Sequence, residues 1–387
     1  MKIVVQVKLL PVSAYDADAL AATLRACNRA ANAASEVAFA KDLKRRNMLQ
    51  DAVYHRLRAE FDLGAQAAVR TITKVCDAYT TLKANIKAGN LGRDGSRRRV
   101  RAESRPISFR EGAAQPYDDR MLTWNLDART VSIWTVAGRL KHVPFVCSPE
   151  GLELLRSRRG ESDLVMRDGV FFLVATIDLP EPEVFEPGGF LGVDLGIVNI
   201  ATTSDGEILA ARRLNRYRQR HRDLRTKLQK KRTKSAKRVL KRIRRREARH
   251  VANTNHIIAK KLVATAERTS RGIGLEDLSG IRARVTAKKD QRARLHSWAF
   301  AQLGAFVAYK AKRAGVPVVH VDPRNTSRQC SECWHVHRTN RVSQARFECR
   351  SCGSIMHADH NGSRNIAHRA DAVWQRGAVN RPRTSAS

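Results

Sequence analysis

The sequence predicts an α+β protein of several domains. It begins with a small β-barrel or sandwich broken by a helical insertion, and continues as an α/β domain carrying a small insert of its own. Three observations carry that expectation. A length of 387 residues exceeds one typical core. Strand-like and helical patterns come in separate blocks. The stretch PEPEVFEPGG, 180–189, divides the chain as a linker over 181–189.

Residues 2–10 alternate apolar and polar, a strand closed by Pro11. From Asp16 to about Lys87 the chain becomes Ala-rich. Leu20, Leu24, Cys27, Ala31 and Ala34, then Ala68, Val69, Ile72, Val75, Cys76, Tyr79, Leu82 and Ile86, recur at three- and four-residue steps. Two or three packed helices are expected, interrupted near Gly64. The run GNLGRDGSRRRVRAESR, 89–105, reads as a basic loop or a flexible nucleic-acid contact. Short strands return at Met121–Leu126, Val131–Val136, Leu140–Val146, Leu164–Arg167 and Val170–Leu179, with turns at Asp127-Ala128-Arg129 and Asp168-Gly169. If the first strand joins this sheet, residues 13–89 are an insertion into a barrel of 1–12 and 90–180.

The second half opens with GGFLGVDLGIVNIATTSDGEILAA, 188–211. It reads as a strand, a second strand Asn199–Ser204, a tight Asp205-Gly206 turn with both residues at positive φ, and a third strand Glu207–Ala211. Asp194 is a carboxylate inside the apolar run Phe190–Ile197, where an unpartnered charge costs several kcal/mol. A metal ion explains it best. One carboxylate binds Mg²⁺ poorly, so others are expected at the same place. Glu276 lies within the apolar alternation of GIGLEDL, 272–278, with Asp277 facing away. A polar loop is expected over 279–290, then a helix from about 291 to 314 using Leu295, Trp298, Ala299, Leu303, Phe306 and Val307, then a strand Val316–Val321. Asp359, in HADHN at 357–361, opens a last helix through about Arg369, where its ordinary role is N-capping. Together Asp194, Glu276 and Asp359 can hold two Mg²⁺ ions for phosphodiester hydrolysis, Asp194 bridging both, with no Ser or His nucleophile.

The formal charge of +36 attracts polyanions, of which nucleic acid is the commonest inside cells. Residues 212–249 hold twenty Lys or Arg against only Asp223 and Glu247, with Leu214, Tyr217, Leu224, Leu228, Val239 and Ile243 in a loose helical period. Nothing in that stretch offsets its self-repulsion, so phosphate contact is expected. No apolar run approaches a membrane span and MKIVVQVKLL lacks a signal-peptide layout. The expectation is a soluble, cytoplasmic, nucleoid-associated protein with no membrane partner.

Cys330, Cys333, Cys349 and Cys352 form C-x2-C, fifteen residues, C-x2-C, the spacing of a closed tetrahedral Zn²⁺ site that folds a small ribbon. His335, His337 and His357 nearby read as surface or nucleic-acid-facing residues. Cys27, Cys76 and Cys147 read as reduced packing residues.

GVDLGI, GLEDLSG and HADHNGSRNIA resemble the three RuvC-type motifs of the RNase H-like fold. The cysteine ribbon preceded by PRNTSRQC, and the basic segment ending NTNHIIAKKL, resemble the TnpB (OrfB) proteins of bacterial insertion sequences. The likeness is specific over about 190–370. Trp334 stands where the family commonly has Gly, and Gly362-Ser363 replace a commoner pair of alanines. The resemblance implies a wedge barrel (1–12 and 90–180), a helical recognition insertion (13–89), a linker (181–189), a RuvC-like nuclease (190–322 and 357–370), a zinc ribbon (323–356) and a basic, flexible tail (371–387). It implies an Mg-dependent RNA-guided DNA endonuclease of a transposable element. Its partners would be a guide RNA from the element's flank, and a double-stranded DNA target read through a short flanking motif and opened to a displaced strand. By the same likeness, Asp194, Glu276 and Asp359 are catalytic Mg²⁺ ligands and the four cysteines bind one structural Zn²⁺. The competing expectations are a compact type V CRISPR effector, a guided DNA-binding repressor without cleavage, which the three acids oppose, and a DNA-strand transferase.

Overall fold

A computed structural model describes residues 1–278 and 300–377. The loop expected over 279–290, the first part of the following helix with Leu295, Trp298 and Ala299, and the tail beyond 377 lie outside the described residues. The chain divides into two compact units, Met1–Pro180 and Glu181 onward.

In the first unit, β1 (Lys2–Leu9) buries every second side chain: Ile3, Val5, Val7 and Leu9. Strict alternation suits its place between two antiparallel neighbours. Three helices follow: α1 (Ala14–Ala40), α2 (Arg46–Phe61) and α3 (Ala65–Lys87), with Gly64 at the break. Ser13 caps α1 by accepting from the Asp16 N–H at 3.1 Å. Cys27, Ala30, Ala31, Ala34 and Ala38 make a fully buried stripe, small enough for close helix approach. The thiols behave as packing groups: burial pushes Cys27 up to about 11.

The remaining elements are α4 (Arg97–Glu103), β2 (Gln115–Tyr117), β3 (Leu122–Asn125), β4 (Thr130–Thr135), β5 (Gly138–Val146), α5 (Pro149–Arg156), β6 (Ser162–Arg167) and β7 (Val170–Asp178). Seven strands pair in the order β2-β6-β7-β1-β5-β4-β3. The edge strands β2 and β3 are joined by residues 118–121, so the sheet must curl until it is nearly closed. The Trp134 N–H donates to the Met121 carbonyl at 2.8 Å, extending the β3–β4 ladder, and the buried Tyr117 hydroxyl of β2 donates to the Trp134 carbonyl at 3.1 Å across that seam. Three features differ from expectation. The basic 89–105 break contains α4, capped by Ser96, whose hydroxyl accepts from the Arg99 N–H at 3.4 Å. Strand β2 and helix α5 were not expected; both are too short to establish a period.

The second unit contains β8 (Phe190–Asp194), β9 (Asn199–Thr203), β10 (Ile208–Ala210), α6 (Arg212–Lys231), α7 (Lys234–Arg268), β11 (Gly272–Glu276), α8 (Phe300–Arg313), β12 (Val318–Val321), β13 (Arg346–Glu348), β14 (Ile355–His357) and α9 (Ala358–Gln375). Its five-stranded sheet runs β10-β9-β8-β11-β12. Strands β8, β11 and β12 are parallel, and β9 and β10 antiparallel. Leu191, Val193, Ile273 and Leu275 face one side, packing with Ile258, Leu262, Val263, Leu303 and Val307 of α7 and α8. Phe190 and its neighbours face the other, where α9 lies with Ile366 and Ala370.

The β9–β10 turn is not the two-residue turn expected. Gly206 has φ +83°, whereas Asp205 is not at positive φ. Gly206 N–H donates to Thr203 O and Thr203 N–H to Glu207 O, both at 2.9 Å. This is a three-residue loop with glycine in the left-handed position. Asp205 turns outward to a bidentate ion pair with Arg271 at 2.8 and 2.6 Å.

Helices α6 and α7 form a hairpin that carries the basic run. Its seam is thin: Tyr217 lies between His221 and His250 at centroid distances of 4.2 and 4.3 Å. Arg218 is buried and Glu247 faces it, while Arg225 reaches Glu247 at 3.6 Å. Leu224, part of the loose helical period, is 42% exposed.

Candidate active site: three carboxylates beside four cysteines

Asp194 and Glu276 are the last residues of β8 and β11, which pair in parallel register through Val193 and Leu275. Both therefore leave the sheet at the same edge, on the face covered by α9. That face is unusually flat. Gly192 and Gly274 are paired across the strands, and a Cβ on Gly192 would lie 1.9 Å from the Ser363 carbonyl oxygen of α9. A Cβ on Gly274 would lie 2.8 Å from that of Ala370. The glycines let the helix backbone descend onto the sheet and bring Asp359, in its first turn, to the two strand ends. Gly362 completes the approach, since a Cβ there would lie 3.2 Å from Asp194 Oδ2.

Burial pushes the Asp194 carboxyl up to about 8, and the negative charges of Glu276 and Asp359 add to it, against a smaller opposing pull from Arg341. Glu276 is also raised by burial, moderated by a hydrogen bond from Thr326 Oγ1 to its Oε1 at 2.5 Å. Asp359 is buried; its Oδ1 accepts from Arg341 Nη2 at 2.8 Å and its Oδ2 from Asn199 Nδ2 at 2.9 Å. It does not cap its helix. His357 does, its Nδ1 accepting from the Asp359 N–H at 3.2 Å, which leaves the carboxylate to face the strand ends. Asp277 is exposed, as the alternation requires.

The four cysteine sulfurs all lie within 4.8 Å of one another, the one such group among the described residues. Cys330–Cys352 and Cys333–Cys349 stand at 3.7 and 3.5 Å. Tetrahedral zinc with bonds of about 2.3 Å requires sulfur separations of about 3.8 Å, so the set could hold zinc. Burial raises the Cys349 thiol, but the N–H groups of Cys352 and Ser351 and the neighbouring thiols outweigh it and bring it to about 7. The two C-x2-C turns match. Trp334 N–H donates to Cys330 O at 3.0 Å and Gly353 N–H to Cys349 O at 3.1 Å, with φ +64° and +71°. Trp334 thus occupies a left-handed position suited to Gly, at a cost of about 1–2 kcal/mol. Its indole lies edge-on to His368, 5.0 Å between centroids. Cys349→Ser is expected to remove zinc from the purified protein and lower its soluble yield; unchanged zinc by elemental analysis would refute the ligand assignment.

The cysteine-bearing segment also walls the carboxylates. It supplies Thr326 to Glu276 and Arg341 to Asp359, and α9 grips its base through Asn361. That side chain accepts from the Ser331 N–H at 3.0 Å and donates to the Gln329 carbonyl at 2.8 Å. Sequence reading missed Thr326, Arg341, Asn199 and Asn361. Only Asn199, polar within an apolar strand, and PRNTSRQC, a fixed polar string, carried any signal.

The chain is similar to several known proteins. Residues 173–279 match a family model described as "Probable transposase", OrfB_IS605, and residues 300–366 one described as "Cas12f1-like, TNB domain". The chain is 40% identical over 116 residues to the CRISPR-associated endodeoxyribonuclease Cas12f1 of Sulfoacidibacillus thermotolerans, which is 30% of this chain and 26% of that one. It is 34% identical over 129 residues to the TnpB-like protein MJ0751 of Methanocaldococcus jannaschii, 33% of this chain and 46% of that one. The chain thus spans less than half the length of these curated relatives. It shares its fold with the mini-RNA-guided endonuclease CRISPR-Cas_phi3, TM-score 0.53 at 11% identity, covering 96% of this chain and 92% of the other. The class this defines is one of fold: the chain has the fold of that protein. Over residues 173–366 the chain is similar to the TnpB (OrfB) and Cas12f proteins, the likeness its motifs carry. No helix among the described residues is long and apolar enough to cross a membrane.

Proposed function

We propose that this protein is an RNA-guided DNA endonuclease of a transposable element, cutting DNA at a single RuvC-like site. The observation that carries the reading is Asp194: a carboxyl held up to about 8 by burial beside Glu276 and Asp359, three acids from three separate elements at one sheet edge. Such mutual repulsion fits a divalent-cation site, and Asp194, Glu276 and Asp359 would hold the Mg²⁺ ions. Bound Mg²⁺ supplies an activated water and stabilises the leaving 3′ oxygen. The chain's own part is to fix the carboxylates, through Thr326, Asn199 and Arg341, and to keep them in a largely buried setting. A sheet of order β10-β9-β8-β11-β12, with three parallel strands and Asp194 and Glu276 at the ends of two of them, supports the RNase H-like assignment of 190–322 and 357–370. One Zn²⁺ on Cys330, Cys333, Cys349 and Cys352 would fold the ribbon, 323–356.

The nearly closed sheet of 1–12 and 90–180 would serve as the wedge, and residues 13–89 as the recognition insertion. The basic α6–α7 hairpin supplies cations for phosphate backbones, and the net charge of +36 suits a guide RNA with an opened duplex. Likeness to Cas12f1 also favours a second reading with the same chemistry, a compact type V effector.

The test is to express the gene with its downstream flanking DNA and sequence the RNA protected by the purified protein. A single flank-derived species ending in a variable segment, followed by Mg²⁺-dependent cutting of matching DNA, is expected. An RNA from a repeat array would move the protein to the CRISPR reading. Random cellular RNA with no guided cutting would overturn both.

A further inference from the structure

The stretch PRNTSRQC, 323–330, carries no metal-ligating side chain before Cys330, yet the structure grips it from several directions. Asn325 takes φ +61°, and its carbonyl accepts from the N–H groups of Arg328 and Gln329 at 2.9 and 2.8 Å. Arg369 of α9 donates to the carbonyls of Asp322 and Arg324 at 2.8 and 2.7 Å and to Gln329 Oε1 at 2.6 Å. Asn365 donates to the carbonyls of Thr326 and Gln329 at 2.9 and 2.7 Å. The turn is thus clamped to the same helix that bears Asp359.

The clamped turn delivers one side chain to the carboxylate cluster. Thr326 is 4% exposed, with Oγ1 at 2.5 Å from Glu276 Oε1 and 3.0 Å from the Pro323 carbonyl. A hydroxyl has one proton. The shorter, charge-assisted contact to the carboxylate is the stronger acceptor. A β-branched side chain on a fixed backbone aims that proton in one direction.

We propose that Thr326 is a positioning residue for Glu276: its hydroxyl holds Oε1 in place, leaving the other carboxylate oxygen to a divalent cation shared with Asp194 and Asp359. Partners that orient metal ligands are worth about 10- to 100-fold in metal affinity. This rests on the reading of the three acids as a metal site. It accounts for the polar string before Cys330: Asn325 makes the turn, Thr326 orients Glu276, and Gln329 anchors the ribbon to α9.

The experiment titrates Mn²⁺ into full-length wild-type, Thr326→Val, Thr326→Ser and Asp194→Asn protein, following free Mn²⁺ by electron paramagnetic resonance. Zinc content and Tm are measured alongside. Thr326→Val, nearly isosteric, is expected to weaken Mn²⁺ binding about tenfold with zinc and Tm unchanged, and Thr326→Ser to restore it to within about threefold. Wild-type affinity in Thr326→Val, while Asp194→Asn loses Mn²⁺, would overturn the inference and leave the metal-site reading standing. Equal losses in Val and Ser variants, with zinc lost, would make Thr326 a structural residue and overturn it as well. Wild-type binding unaffected by Asp194→Asn would overturn both.

Discussion

Asp194→Asn is expected to abolish DNA cutting while leaving affinity for RNA within about twofold, because it removes a charge and preserves shape. It should also make the metal-free protein more stable at neutral pH. The folded-state carboxyl loses its proton near 8, whereas an ordinary aspartate loses it near 3.8. Between those values the unfolded chain is ionised and the folded chain holds its proton, so wild-type stability falls as pH rises through the window. Asparagine has no such dependence. The advantage of Asp194→Asn should therefore be near zero below pH 4 and reach several kcal/mol above pH 8. Denaturation at a series of pH values in a chelator measures it. Retained cutting would remove Asp194 from the site, and loss of RNA binding would make it a folding residue.

Gly192→Ala is expected to be the most damaging single methyl in the second unit. The added carbon would meet the Ser363 carbonyl oxygen at 1.9 Å and the Ala367 nitrogen at 2.5 Å, both backbone atoms of α9. Neither can rotate away, so the helix must lift from β8 and carry Asp359 with it. A loss of about 3 kcal/mol or more follows, beyond ordinary overpacking. At Gly274 the nearest atoms are the side chains of Ala370 and Ile366, at 2.8 and 3.2 Å, so Gly274→Ala should cost less. Urea midpoints for the two variants test the ranking; equal midpoints would mean α9 is free to slide.

What was legible in the sequence was whatever broke its local pattern. Asp194 and Glu276 stand out because an acid interrupts an apolar strand, and the cysteines because C-x2-C pairs have few other uses. Strands β1 and β3–β7 were legible because alternation records which face is buried. Thr326 and Arg341 were not, because their meaning depends on the ribbon lying against the strand ends, a juxtaposition no periodicity encodes. The Asp205-Gly206 turn was misread in detail because Asp-Gly suits both a two-residue turn and a longer loop with one left-handed glycine. Here the Thr203 side chain accepts from the Glu207 N–H at 3.2 Å and favours the latter. Arg218 was hidden differently: within a run of cations it reads as one more phosphate contact, yet it is buried with Glu247 facing it.

That inward pair gives the α6–α7 hairpin an unusual relation to ionic strength. Glu247 is one of only two acids in 212–249 and faces Arg218 and Arg225, so most of the remaining cations have no neutraliser within the segment. In the free protein they repel one another, and added salt screens that repulsion and favours the folded arm. With a polyanion bound along the arm, as the proposed function requires, the sign would reverse, because salt would then compete with the protein for the phosphates. Ionic strength would thus act as a tide with two directions, holding the empty arm together and drawing a bound polyanion away from it.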